Sequence, residues 1–148
     1  MGQLGFYDLD KRLKAISAKG DPLEALNALV PFESFRAEIE AVVRLAPEQR
    51  KSNAGRKPFD AVMMFKVLVL QTLYSLADEQ VEYQIRDRLS FMRFLGLGLE
   101  DAVPDATTLW LFRETLTKAN LVKALFKRFD GYLNARGYIA RGGQIVDA

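Results

Sequence analysis

The sequence predicts an all-α fold, a bundle of about six or seven helices with a nascent C-terminal β-strand. Three features carry that expectation. Apolar residues recur at three- and four-residue spacing through most of the 148 residues, the repeat of a helix with one buried face. Residues that start and stop helices fall between those stretches. Alternation with period two is missing everywhere except near Gln144-Ile145-Val146.

The elements follow in order. Phe6, Leu9, Leu13 and Ile16 share one helical face, and Lys19-Gly20 supplies a stop. Asp21-Pro22-Leu23-Glu24 reads as a helix start, with Asp21 as cap, Pro22 at the first helical position and Glu24 placed for a capping box. Pro31 breaks or restarts that helix, and Phe35, Ile39 and Val42 mark the next face, up to about Leu45. Residues 46–58, APEQRKSNAGRKP, have turn formers and four basic side chains but no apolar period, and are expected to be a loop. Residues 59–75 are apolar nearly all round and predict the central buried helix. Asp78 is placed to cap the following helix, whose inward stripe is Val81, Ile85 and Leu89, and whose apolar surface continues through Phe91, Phe94 and Leu95 to Gly96. Asp105 then caps a helix with Leu109, Phe112 and Leu116 inward. The last helix, about 121–136, buries Leu121, Leu125, Phe129 and Leu133 and closes at Arg136-Gly137.

Composition narrows the chemistry. With 49% hydrophobic and 27% charged residues the chain matches a globular protein. It contains neither cysteine nor histidine, so thiolate metal sites, disulfides and imidazole bases are excluded. The longest apolar run, residues 61–70, is too short to span a bilayer and contains Lys66. Acidic residues interrupt the N-terminus, which therefore does not read as a signal peptide. The expected location is cytoplasmic, with neither a membrane nor a small-molecule substrate as partner. The net charge of +2 hides blocks: −2 over residues 1–49, +4 over 50–77, −4 over 78–105 and +4 over 106–148. Patchy charge of this kind suits a nucleic-acid binder and also many helical proteins without that role.

Three segments could contact DNA. Arg56 and Lys57 lie in the Gly/Pro-framed loop, within reach of a phosphate backbone, or are simply a solvated linker. Thr107, Thr108 and Trp110 fall in and near the first turn after Asp105, with Arg113 further along; there they would meet phosphates or base edges. In the alternative, the threonines serve the cap, Trp110 is core and Arg113 pairs with a carboxylate. Lys123 and Lys127 stand at i and i+4 beside Arg128, an arrangement of like charges that an anionic partner would relieve. A short-turn helix-turn-helix between Leu89 and Asp105 is not expected, since about fifteen residues intervene against the three or four of that motif. The acidic group Asp78, Glu79 and Glu82 is attributed to a helix N-terminus, where negative charge is favoured anyway. Tyr83 and Tyr132 are assigned to packing.

The order of these segments carries a resemblance. A basic GRKP loop precedes the apolar helix; then come RDRLSFMRFLGL, PDATTLWLFRE and a final GGQIVDA. Over about residues 30–148 this resembles the N-terminal part of bacterial insertion-sequence DDE transposases of the group named after insertion sequence five. The resemblance implies a helical DNA-binding and assembly domain over residues 1–141. It also implies that residues 142–148 are the first strand of an RNase H-like catalytic domain that is otherwise absent. Asp147 then matches the first Asp of the triad that holds two divalent ions, Mg2+ in the full-length enzyme. With one carboxylate of three, the chain alone is expected to hold no cofactor and to cut no DNA. The implied partners are double-stranded DNA at the element ends and a second copy of the chain. Two other readings stay open: a truncated transposase that regulates or inhibits transposition, and a helical interaction module without a DNA role.

Overall fold

The computed structural model describes residues 6–45 and 58–147. These form eight α-helices, one short 3-10 helix and a two-stranded antiparallel sheet. The helices are α1 (Phe6–Ala18), α2 (Pro22–Leu29), α3 (Arg36–Leu45) and α4 (Ala61–Tyr74), then α5 (Asp78–Asp87), α6 (Leu89–Leu95), α7 (Ala106–Lys118) and α8 (Val122–Asn134). The 3-10 helix, Phe32–Phe35, precedes α3, and the strands are β1 (Tyr138–Arg141) and β2 (Gln144–Asp147). No single helix among the described residues is long and apolar enough to cross a membrane.

Helix α4 is the axis of the core. Eight of its fourteen residues are buried, and Phe65 sits within a cluster of rings drawn from three other elements. Phe35 lies 4.9 Å from Phe65 between centroids, while Phe32 meets Phe94 edge-on at 5.6 Å and Phe129 at 6.1 Å. Aromatic pairs at such offsets add to the burial of their large apolar area. Lys66, the charge within this run, keeps its Nζ 3.0 Å from the Phe94 carbonyl and about equally close to the rings of Phe32 and Phe94, at 5.0 and 5.1 Å. It therefore closes the C-terminal end of α6, where a cation meets the negative end of the helix. Burial pushes its ammonium below the usual lysine range.

Side chains cap three helix starts, at Asp21 and Asp105 as expected and at Asp60, which was not foreseen. Asp21 accepts from the Leu23 amide, Asp60 from Met63 and Asp105 from Thr108, at 3.0, 3.0 and 2.8 Å. Two expectations are corrected. Glu24 completes no capping box but accepts from Ser17 across to α1. Asp78 is not a cap: Ala77 takes that position, and its amide donates to the Gln80 side chain at 2.8 Å. Chain direction changes by 102° between α4 and α5, after Ser75 in the left-handed region (φ 53). The single apolar surface expected from Val81 to Leu95 is divided between two helices, because Arg88 is extended (φ −108, ψ 116) and interrupts the ladder. Its guanidinium lies over the rings of Phe91 and Tyr74, at 5.1 and 5.8 Å, a cation–π contact that holds the break in place.

The C-terminal region departs furthest from expectation. A lone strand was expected from Gln144 onward; β1 is its partner, with Tyr138 opposite Asp147, Ile139 opposite Val146, Ala140 opposite Ile145 and Arg141 opposite Gln144. Gly142 and Gly143 form the two-residue turn, with φ +57 and +79. Positive φ at both central residues is the type I′ geometry that suits hairpin twist and that glycine adopts without strain. The boundary expected between residues 141 and 142 thus falls inside a hairpin turn. The hairpin packs on α8 through β1 and on α2 through β2.

Candidate nucleic-acid interface

Two groups of basic side chains stand in contrast. Four arginines are fastened to carboxylates and join elements together. Arg36 binds Glu33 and Glu40 and reaches the α4 cap Asp60 at 2.7 Å, an arrangement that holds the Asp60 carboxyl below its ordinary range. Arg93 on α6 reaches Asp21 at 2.8 Å and donates to Ser17 Oγ and the Leu13 carbonyl of α1. Arg128 on α8 pairs with Glu38 of α3 and lies 4.6 Å over the Phe35 ring.

Arg113 is the fourth. Its Nη1 and Nη2 donate to the two oxygens of Asp78, each at 2.8 Å, and Nη1 also donates to Gln71 Oε1 at 3.0 Å. Gln71 in turn donates to Asp78 at 2.6 Å. This fork-to-fork pair ties α7 to α5 and α4, and the hydrogen bonds from Arg113 pull the Asp78 carboxyl below its usual value. Of the two roles foreseen for Arg113, the structure presents the carboxylate partner.

Lys123 and Lys127 belong to the other group. Both are exposed on α8, one turn apart, and neither has an ion-pair partner among the described residues. The inward positions of α8, Leu125, Phe129 and Leu133, are buried, so the sequence separates an apolar face from a basic one. Only residues 119–121 join α7 to α8, with Asn120 in the left-handed region (φ 56) making the bend. The two helices meet near this turn and share little surface. No side chain caps the α8 start at Leu121, and no acid lies in its first turn. At the α7 start Asp105 already occupies the Thr108 amide, so negative charge stands where a phosphate would have to bind. Thr107 beyond it is exposed and Thr108 half-buried.

Two aromatic side chains are not where packing would put them. Trp110 is 48% exposed, which goes against the core alternative for it, and Tyr83 is 66% exposed, which corrects its assignment to packing. Tyr132 does pack, edge-on against Phe35 at 6.0 Å, with its hydroxyl 3.3 Å from Ser34 Oγ. Arg56 and Lys57 lie outside the described residues.

Asp147 ends β2 and is exposed. Strand alternation gives it the same sheet face as Ile145, and their partners Tyr138 and Ala140 share that face. Ile145, Ala140 and Tyr138 pack on the core. The carboxylate therefore stands at the rim of the helix-facing side. No group of three or more acidic side chains among the described residues is arranged to hold a metal ion. One carboxylate cannot hold a two-metal site, so the described residues do not fit that group. The strand opposite Asp147 was missed in the sequence, although Gly-Gly between two short apolar runs is a hairpin signal.

A family model described as Transposase domain (DUF772) matches residues 11–115, from α1 into α7. No solved structure matches the chain. The matched region holds α2 to α6, the central helix and the Asp78–Arg113 pair, and covers well over half of the chain. The chain belongs to this transposase domain family.

Proposed function

We propose that the chain is the DNA-binding and assembly region of a DDE transposase of the insertion sequence five group, acting on the DNA ends of the element. The observation that carries this reading is the contrast among its cations. Arg36, Arg93, Arg113 and Arg128 are neutralised by carboxylates, whereas Lys123 and Lys127 share an exposed face of α8 beside an uncapped helix start, with only Asp130 nearby and no ion-pair partner among the described residues. Such a face fits a phosphate backbone, where each contact releases counterions. Thr107, Arg56 and Lys57 extend the proposed contact set. Arg113 supports it indirectly, by holding α7 in place.

Fluorescence anisotropy with terminal-repeat and random duplexes tests the reading across a range of salt concentrations. Replacing both lysines by alanine should lower the salt slope by about two units, near one per lost phosphate contact, and weaken both duplexes alike. Unchanged binding in a folded double variant would overturn it.

A second reading concerns assembly. Tyr83, Trp110 and Leu99 are large apolar side chains left exposed on α5, on α7 and in the connection before α7, which favours a protein contact there over a DNA contact. Asp147 is proposed as the first carboxylate of the catalytic triad, with Mg2+ as the metal and the remaining ligands supplied from outside the described residues. A chain that bound DNA or dimerised without those ligands would compete with the intact enzyme and act as a regulator of transposition.

A further inference from the structure

Besides the packing of β1 on α8 and of β2 on α2, the hairpin turn meets α4 at one tight contact. Gly143 is buried with φ +79, and a Cβ added there would lie 2.6 Å from Tyr74 Cε1 and 3.0 Å from Cδ1. No real Cβ tolerates such distances, so this position accepts glycine alone while the ring stays in place. The Tyr74 hydroxyl donates to the Gly143 carbonyl at 3.4 Å, and burial raises its pKa, which keeps the proton on the donor. Nor is the ring free to swing away. Phe91 packs on it at 5.1 Å and the Arg88 guanidinium lies over it at 5.8 Å, both from the segment where α5 gives way to α6.

Elsewhere along α4 the fit is open. A cleft of about 390 Å³ separates Leu73 of α4, Phe126 and Phe129 of α8, and Ala140 and Gly142 of the hairpin. Contact with α4 is therefore concentrated at the turn. Asp147 lies four residues beyond Gly143, at the rim of the helix-facing side, so its position follows from how the turn is seated.

We propose that Tyr74 is a positioning residue: its ring, seated against Gly143, sets the orientation of β2 and hence of the Asp147 carboxylate relative to the helical body. The inference rests on the reading of Asp147 as a catalytic ligand, but its geometric half can be measured without that reading. Residual dipolar couplings of the β2 amides in the full chain report strand orientation against the helices. Gly143→Ala and Tyr74→Ala should each change the couplings of Ile145 and Val146 while leaving those of α4 and α7 as they were. Amide exchange at Val146, the one of the two that bonds across to β1, should become about tenfold faster, as for a subunit released from its packing. Tyr74→Phe keeps the ring and should restore the native couplings, an outcome that lost bulk stability would not give. Because both single changes break one contact, the double variant should be no worse than the more damaging single one. Unchanged couplings in Gly143→Ala, or strictly additive effects, would overturn the seating. Asp147→Asn in a transposition assay with the other triad ligands supplied, as the proposed function requires, separates the other half: retained activity would remove the catalytic role of the carboxylate, and with it the purpose of the seating, while the couplings still report the latch.

Discussion

Arg113 shows how one residue can look functional in sequence and prove structural in space. Its position beyond a capped helix start suits a base-reading arginine, but Asp78 takes both terminal nitrogens. Sequence could not decide this, because the partner lies 35 residues away and only the bend after α4 brings it near. Arg113→Ala should lower stability by about 2 kcal/mol, the cost of stranding a half-buried carboxylate, and leave the ratio of specific to random DNA binding unchanged. Thermal melts and anisotropy on the same variant check both halves. The folded pKa of Asp78 is depressed, so its stabilising contribution is fully present above the unfolded value near about pH 4 and is lost as pH falls through the lower folded value. Acid titration of stability should therefore be shallower in Asp78→Asn than in the native chain. An identical acid limb in both would remove the pair from the stability account.

Helices were legible where apolar spacing and caps agreed. Asp105 and Asp21 cap as their positions suggest, and the inward stripe of α7 and Leu125, Phe129 and Leu133 of α8 are buried as spaced. What failed were features fixed by distant contacts. The break at Arg88 depends on the rings of Tyr74 and Phe91, and the strand at Tyr138 depends on pairing across Gly142-Gly143. The break leaves no mark in a short window, whereas the strand leaves one, Gly142-Gly143 between two short apolar runs. Pairing changes the behaviour expected of the C-terminal region: Val146, in the hydrogen-bonded pair with Ile139, should exchange its amide more slowly than an unpaired chain, by at least about tenfold. Exchange of Val146 at the unprotected rate would mean that the hairpin does not form in solution. The site was less legible than the fold. Lys123 and Lys127 could be placed on one helix face from their spacing, but whether they were free or paired required the neighbours of α8.

At the scale of the molecule, one contiguous core runs from Leu23 to Leu133 and includes side chains from α2 through α8. Such a core should unfold in a single transition. Phe65→Ala, at its centre, should cost roughly 3–5 kcal/mol, with circular dichroism and aromatic fluorescence reporting one common midpoint. Separate midpoints would show that the α7–α8 region and the N-terminal helices are independent units.

Helix α8 runs from the lysine-bearing turn to the hairpin without interruption, and Gly137 passes the chain directly into β1. Thirteen residues at 1.5 Å each make it about 20 Å long, the rise of about six base pairs of duplex at 3.4 Å per step. On the proposed reading α8 is a ruler. The phosphates gripped at its start and the strand carrying Asp147 at its far end are held a fixed number of base pairs apart, so the distance from recognised sequence to cut would be written in the length of one helix.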